Sequence, residues 1–339
     1  MDIFRKIGAI LIAILFVITA VFAIISFNFD RRGFTAETYQ TAFAKEDFYN
    51  QLPTIMAETM VSSTSDQSGF PVVMQGMSAE AWDVFFRSVL PPEALKGMGD
   101  SALNSLFAYF DMQTDSAEFP LAPFKASLVS DTGVQAVFAL LATQPDCTLA
   151  QMGQIALGLI SEQEMLLCNP PAELKPLLTP VVRLQLQVTA AALPDQVTIA
   201  TADQANDPRR NLRTARLIMR LSPLLPLGFL FLLTIFTVRS LKSWLQWWGI
   251  PFLSTGLIVT LMSLSGAPVI GLILKRLIIS RAPVYLPAAF SNYASDVASA
   301  MVAAITRPIF WQGLILFFVG LGMVFILALI YMVRKMSQK

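Results

Sequence analysis

The chain has 339 residues, 55% of them hydrophobic and only 14% charged, with no histidine and a formal net charge of +1. Soluble domains carry about 25% charged residues, so this composition excludes an ordinary water-soluble globule. The missing histidine excludes Ser-His-Asp, Cys-His and every other histidine-based acid–base mechanism.

In chain order, Ile7–Phe27 is the first of four charge-free runs, followed by Leu221–Val238, Gly249–Leu274 and Ile309–Val333. A bilayer crossing needs roughly 20 apolar residues, and these runs predict four spans. The first has about 21 residues, beyond the 7–15 of a secretory h-region. Val21-Phe22-Ala23 is a poor cleavage site, so an uncleaved anchor is expected.

Between spans one and two the charge changes character. Of 23 acidic residues, 21 fall between Asp30 and Asp207, leaving only Asp2 and Asp296 elsewhere. The predicted fold is therefore all-α: a four-helix transmembrane protein with a large helical extracytoplasmic domain between spans one and two. Its parts are an anchor over 1–27, an acidic helical domain over 28–216, and a three-span membrane domain over 217–339.

Inside the acidic domain the residues predict helices. Thr35-Ala36-Glu37-Thr38 opens one that carries Tyr39, Phe43 and Phe48. A second covers Ser78–Leu90 with Trp82, Phe85, Phe86 and Val89 on one face. Pro91-Pro92-Glu93 starts a third, as proline suits the first helical turn. Further helices are expected over Thr132–Thr143, Thr148–Ile160 and Pro171–Leu193. Ser62–Pro71 and Asp111–Pro123 read as turns, and β-branched runs such as Val197-Thr198-Ile199 are short.

Cys147 and Cys168 both lie in this domain, 21 residues apart. A disulfide in an oxidising compartment is the favoured reading, against two unpaired buried thiols. A structural zinc site needs four ligands, so no metal is expected, and no cofactor either. No phosphate-binding glycine loop is present. The carboxylate neighbours Glu46-Asp47, Glu162/Glu164 and Asp111/Asp115 read as solvated surface, not as a glycosidase pair. Asp111 to Glu118 lacks the glycine and spacing of an EF-hand loop.

Arg209, Arg213, Arg216 and Arg220 recur at the four-three-four spacing of one helical face, just before span two. That stripe suits recognition of anionic lipid or of an acidic partner, or a helix extension snorkelling to the headgroups. Trp244, Trp247 and Trp248 mark a membrane interface and predict a Trp-rich cytoplasmic loop with a short amphipathic helix. Ser263, Ser265, Gly266 and Pro268 predict a kink in span three, and Lys275–Pro308 an interfacial helix packed under the acidic domain. No ionisable residue lies deep in a span, which argues against transport by these helices alone.

With four spans both termini share a side. Arg5 and Lys6 before span one and Arg334, Lys335 and Lys339 after span four make that side cytoplasmic. Outside the 33–208 segment this orientation leaves 11 basic residues outside against seven inside, opposite to the rule. The rule loses force for long loops, and the cysteine pair favours an external domain.

Leu90-Pro91-Pro92-Glu93, Pro145-Asp146-Cys147-Thr148, Cys168-Asn169-Pro170-Pro171 and Leu193-Pro194-Asp195-Gln196-Val197, together with the order of parts, resemble a group of uncharacterised bacterial membrane proteins. That resemblance implies one N-terminal span, a helical external domain and three C-terminal spans, and no activity. The layout is also similar to that of mechanotransmission-type ABC transporter permeases (FtsX-like). The expected function is that of a non-enzymatic membrane protein whose external domain binds a protein or lipid partner in the cell envelope. Membrane lipids are expected partners and nucleic acid is not. The alternative is a transporter-associated subunit that passes conformational change across the membrane.

Overall fold

The computed structural model describes residues 3–63, 78–142, 144–149, 151–152, 168–203, 207–281 and 288–336. The helix predicted over Thr148–Ile160 lies mostly outside them, as do Glu162, Glu164 and most of the Ser62–Pro71 turn. The described elements run α1 (Ile3–Gly33), α2 (Ala36–Lys45), α3 (Phe48–Ser63), α4 (Ala79–Val89), α5 (Pro92–Phe110), β1 (Ser116–Pro120), α6 (Ala122–Val129), α7 (Asp131–Leu141), α8 (Lys175–Ala192), β2 (Gln196–Thr201), α9 (Arg209–Leu221), α10 (Leu224–Thr237), α11 (Leu241–Arg281) and α12 (Ala288–Met336). The protein is all-α, and the described residues add one short antiparallel pair, β1 with β2. Among the described residues four stretches are long and apolar enough to cross a membrane: Arg5–Gly33, Arg209–Thr237, Leu241–Ile273 and Tyr293–Met336.

The chain forms two compact units. One comprises Met1–Ala42, Gln204–Leu274 and Ala298–Lys339; the other comprises Phe43–Asp203 with Lys275–Val297. Residues 28–42 and 207–216, grouped by sequence with the acidic domain, thus belong to the unit of apolar helices. The interfacial helix expected over Lys275–Pro308 is not a separate element. α11 runs on to Arg281 and α12 passes through Pro308 unbroken. α11 likewise continues past Ser263, Gly266 and Pro268.

In the apolar unit α1 lies antiparallel to α10. The Arg5 guanidinium donates to the Phe236 carbonyl (2.6 Å) at one end. Phe16 and Ala20 bury against Leu230 further along. Asn28 and Gln312 exchange side-chain amide hydrogen bonds (2.7 and 3.3 Å), which ties α1 to α12. Such polar pairs are a principal glue where lipid removes the hydrophobic drive for helix association.

α11 and α12 meet along glycines spaced by seven, Gly249 and Gly256 on one helix and Gly313 and Gly320 on the other. A Cβ at Gly256 would overlap the Phe317 backbone, and one at Gly320 the Leu253 backbone. At Gly313 it would stand 2.8 Å from Val259 Cγ1. Backbones can approach this closely only where no side chain intervenes. Ser263 Oγ donates across the same interface to the Thr306 carbonyl (2.9 Å).

The acidic unit has its own core, built as the periodicity predicts. Ser78 caps α4 by accepting from the Ala81 amide (3.2 Å), and Trp82, Phe86 and Val89 are buried. Leu95 and Met98 of α5 join Tyr49, Val89 and Leu128 in the main cluster. Tyr293 stacks on Phe48 (centroids 5.7 Å) and donates to the Glu46 carbonyl (3.1 Å), so the Lys275–Val297 segment helps build this unit. The turn expected over Asp111–Pro123 contains β1, which pairs with β2 in the register Ser116↔Thr201 to Pro120↔Gln196 with a bulge at Ala117/Glu118. β1 lacks β-branched residues, and its pairing is fixed from outside. Ser105 Oγ accepts from the Glu118 amide (2.8 Å), and the Leu121 and Ala122 amides donate to the Asp195 carbonyl.

Two outcomes follow for stability. Gly256→Ala or Gly320→Ala should cost about 1–3 kcal/mol by overpacking. Gly322→Ala, which meets nothing within 4 Å, should be neutral; chemical unfolding in detergent measures the difference. Burial, and then the Asp100 carboxylate, push the Tyr49 hydroxyl up to about 12 from 10.0. A raised folded-state value gives stability that is complete below pH 10 and lost as pH rises through about 12. Tyr49→Phe should flatten the wild-type stability loss across that window.

Candidate functional site

Cys147 and Cys168 are joined by a disulfide, with Cα atoms 4.8 Å apart. The backbone around them is paired as well. The Cys147 amide donates to Asn169 O (3.1 Å), the Asn169 amide to Pro145 O (2.9 Å), and Asn169 Nδ2 to Asp146 Oδ1 (3.0 Å). Closing a loop of 21 residues stabilises a domain by about 3 kcal/mol on the chain-entropy account.

The four stripe arginines meet different fates. Arg209 is buried and grips Asp207 through Nε (2.9 Å to both carboxylate oxygens). Its hydrogen bonds outweigh burial and hold the Asp207 carboxyl below its usual range. Arg216 is buried too. Its Nε donates to Asp30 Oδ1 (2.9 Å), and its guanidinium lies 4.9 Å from the Phe34 ring centroid. Arg220 Nε donates to Asp30 Oδ2 (2.8 Å) while much of its side chain stays exposed. Arg213 is exposed. The helical spacing is real, but three of the four guanidiniums bind carboxylates of this chain, and two of those three, Arg209 and Arg216, are buried.

Asp30 is the residue sequence reasoning missed. It is 2% exposed and binds two arginines that lie 186 and 190 positions away. The available signal was a lone acid beside Arg31-Arg32 at the end of a span, in a membrane segment otherwise free of acids.

Trp244, Trp247 and Trp248 stand in the first turns of α11, not in a separate loop helix. Trp248 Nε1 donates to Thr234 Oγ1 (3.1 Å) and its ring packs against Phe252 (5.6 Å). Trp247 lines an open groove of about 920 Å³ between α1 and α11. Lys6, Lys242, Ser240 and Ser243 surround one end of the groove, while Ile10, Ile14, Val17, Ile18 and Ile250 line its length.

The acidic unit offers a second surface. α8 turns Leu186 and Ala190 into the core. Lys125 anchors its far end by binding Leu193 O (2.9 Å) and Asp195 (2.6 Å), and Arg183 pairs with Asp131. This fixes the opposite face outward, where Leu177, Val181, Leu184 and Val188 are 70%, 52%, 62% and 59% exposed. From Pro176 to Pro194 the only charged side chain is Arg183. Scattered apolar residues are normal on a surface, but a contiguous row marks a contact site. Among the described residues no cluster of three or more acids and cysteines could hold a metal ion.

Family models, curated proteins and solved structures were each compared with the chain, and none matches it.

Breaking the Asp30 centre one-sidedly strands a buried charge. Asp30→Ala should cost about 3–5 kcal/mol. Asp30→Leu combined with Arg216→Met should cost clearly less than the sum of the two single changes, which a double-mutant cycle of unfolding free energies reads directly.

Proposed function

We propose that the protein is a non-enzymatic integral membrane protein. Its acidic unit stands on the extracytoplasmic side and binds a protein partner of the cell envelope through the outer face of α8. The observation that carries this reading is the row Leu177, Val181, Leu184 and Val188, exposed on a helix whose other face is firmly anchored. Its four-three-four spacing is that of a seam between two helices, so the favoured partner presents an apolar helix. Burying the half to two-thirds of each side chain that is still exposed supplies about 1–2 kcal/mol apiece before the costs of association. The disulfide supports an oxidising compartment for this unit.

In intact cells, a membrane-impermeant maleimide should label Cys147 and Cys168 only after impermeant reduction. A photo-crosslinker at Leu184 should then give one discrete protein adduct, lost in Leu177→Glu with Val188→Glu while the circular dichroism is unchanged. Labelling that needs cell lysis and no reductant, or adducts indifferent to the two glutamates, would defeat the reading. Co-purification of a cytoplasmic ATPase, abolished by replacing Trp244, Trp247 and Trp248, would instead favour a transporter-associated subunit.

A further inference from the structure

We infer that the groove between α1 and α11 binds one anionic glycerophospholipid, its phosphate at Lys6 and Lys242 and an acyl chain along Ile10, Ile14 and Ile250. The charge pattern matches an anionic amphiphile. Lys6 and Lys242 both line it at one end, and no acidic side chain lines the groove among the described residues. Lys242 is held in place by the Tyr331 ring, 3.4 Å from its Nζ to the centroid, so its charge is presented at a fixed point. Ser240 adds a hydroxyl at the same end, while the Ser243 hydroxyl donates to the Thr237 carbonyl (2.6 Å).

The dimensions match as well. From Lys6 to Ile18 the groove follows α1 for about 18 Å at 1.5 Å per residue, close to the roughly 15 Å hydrocarbon depth of one leaflet. Phe16 stacks on Phe252 (5.7 Å) and closes the contact between the two helices on the groove's inner side, leaving the side lined by Ile10, Ile14 and Ile18 open. The volume of about 920 Å³ falls within the range of small-molecule sites. A zwitterionic lipid brings its own cation beside its phosphate and so leaves the two lysines with no net negative charge to neutralise, and a free phosphate would leave the apolar length unfilled. This inference rests on the apolar unit alone and is independent of any partner at α8.

The test uses the full chain, delipidated in non-ionic detergent and offered equimolar phosphatidylglycerol and phosphatidylcholine, with adducts read by native mass spectrometry. A single phosphatidylglycerol adduct should dominate by roughly thirtyfold, as two lysines each worth about 1 kcal/mol predict. Lys6→Gln with Lys242→Gln should level the two lipids, and Ile14→Trp, which fills the groove, should diminish both adducts. Inorganic phosphate should not displace the lipid. Equal wild-type adducts, a preference that survives the lysine changes, or displacement by inorganic phosphate would each overturn the assignment. The wild-type competition decides the matter even where a variant fails to fold.

Discussion

A carboxylate withdrawn from solvent at the end of a membrane helix is stable only where cations meet it. Asp30 is that carboxylate, and Arg216 and Arg220 supply the cations from the stretch leading into the second span. The pairing sets where α1 ends against α9, and the rest of the contact follows in order. Ser222 hydroxyl approaches the Ala23 carbonyl (3.5 Å), Leu230 meets Ala20 and Phe16, and Phe236 receives Arg5. One ion centre at one end and one guanidinium at the other thereby hold two antiparallel helices in a single alignment.

The spans and the faces of α4 and α5 were legible in the sequence because a single local property encodes each. Run length reports a span, and 3.6-residue periodicity reports the buried side of a helix. What was not legible is relational. The Asp30 centre joins residues 186 and 190 positions apart, and nothing local to Arg216 says that its partner is protein and not lipid. β1 escaped notice because Ser116-Ala117-Glu118-Phe119-Pro120 has no strand propensity of its own and is held by Ser105 and β2. The glycine spacing stands in the sequence, but which faces meet depends on the topology. On α8, periodicity cannot say which apolar residues are covered: Leu186 packs against the core, half-buried, and Leu184, two positions away, is surface.

The two surfaces singled out differ in chemistry. The groove beside α1 couples fixed positive charge to a long apolar wall, which suits an amphiphile. The α8 row has apolar side chains with uncharged neighbours such as Gln185, Gln187 and Thr189, which suits a dry contact with another polypeptide. The arginine run, which the sequence offered as the lipid-binding element, is largely consumed by the architecture. Arg213 stays exposed, and the groove takes its cations from lysines elsewhere, at the starts of α1 and α11.

Glycines that recur every seven residues on two antiparallel helices carry a further consequence: they do not by themselves define a unique alignment. Sliding α12 by one repeat, about 10.5 Å at 1.5 Å per residue, would still place Gly249 opposite Gly313 and keep the backbones in close approach. What distinguishes the native setting is polar: the side-chain pair of Asn28 with Gln312, and the Ser263 hydroxyl on the Thr306 carbonyl. These side chains act as an index mark as well as an adhesive, penalising every setting in which a hydroxyl or an amide would lie unanswered in hydrocarbon.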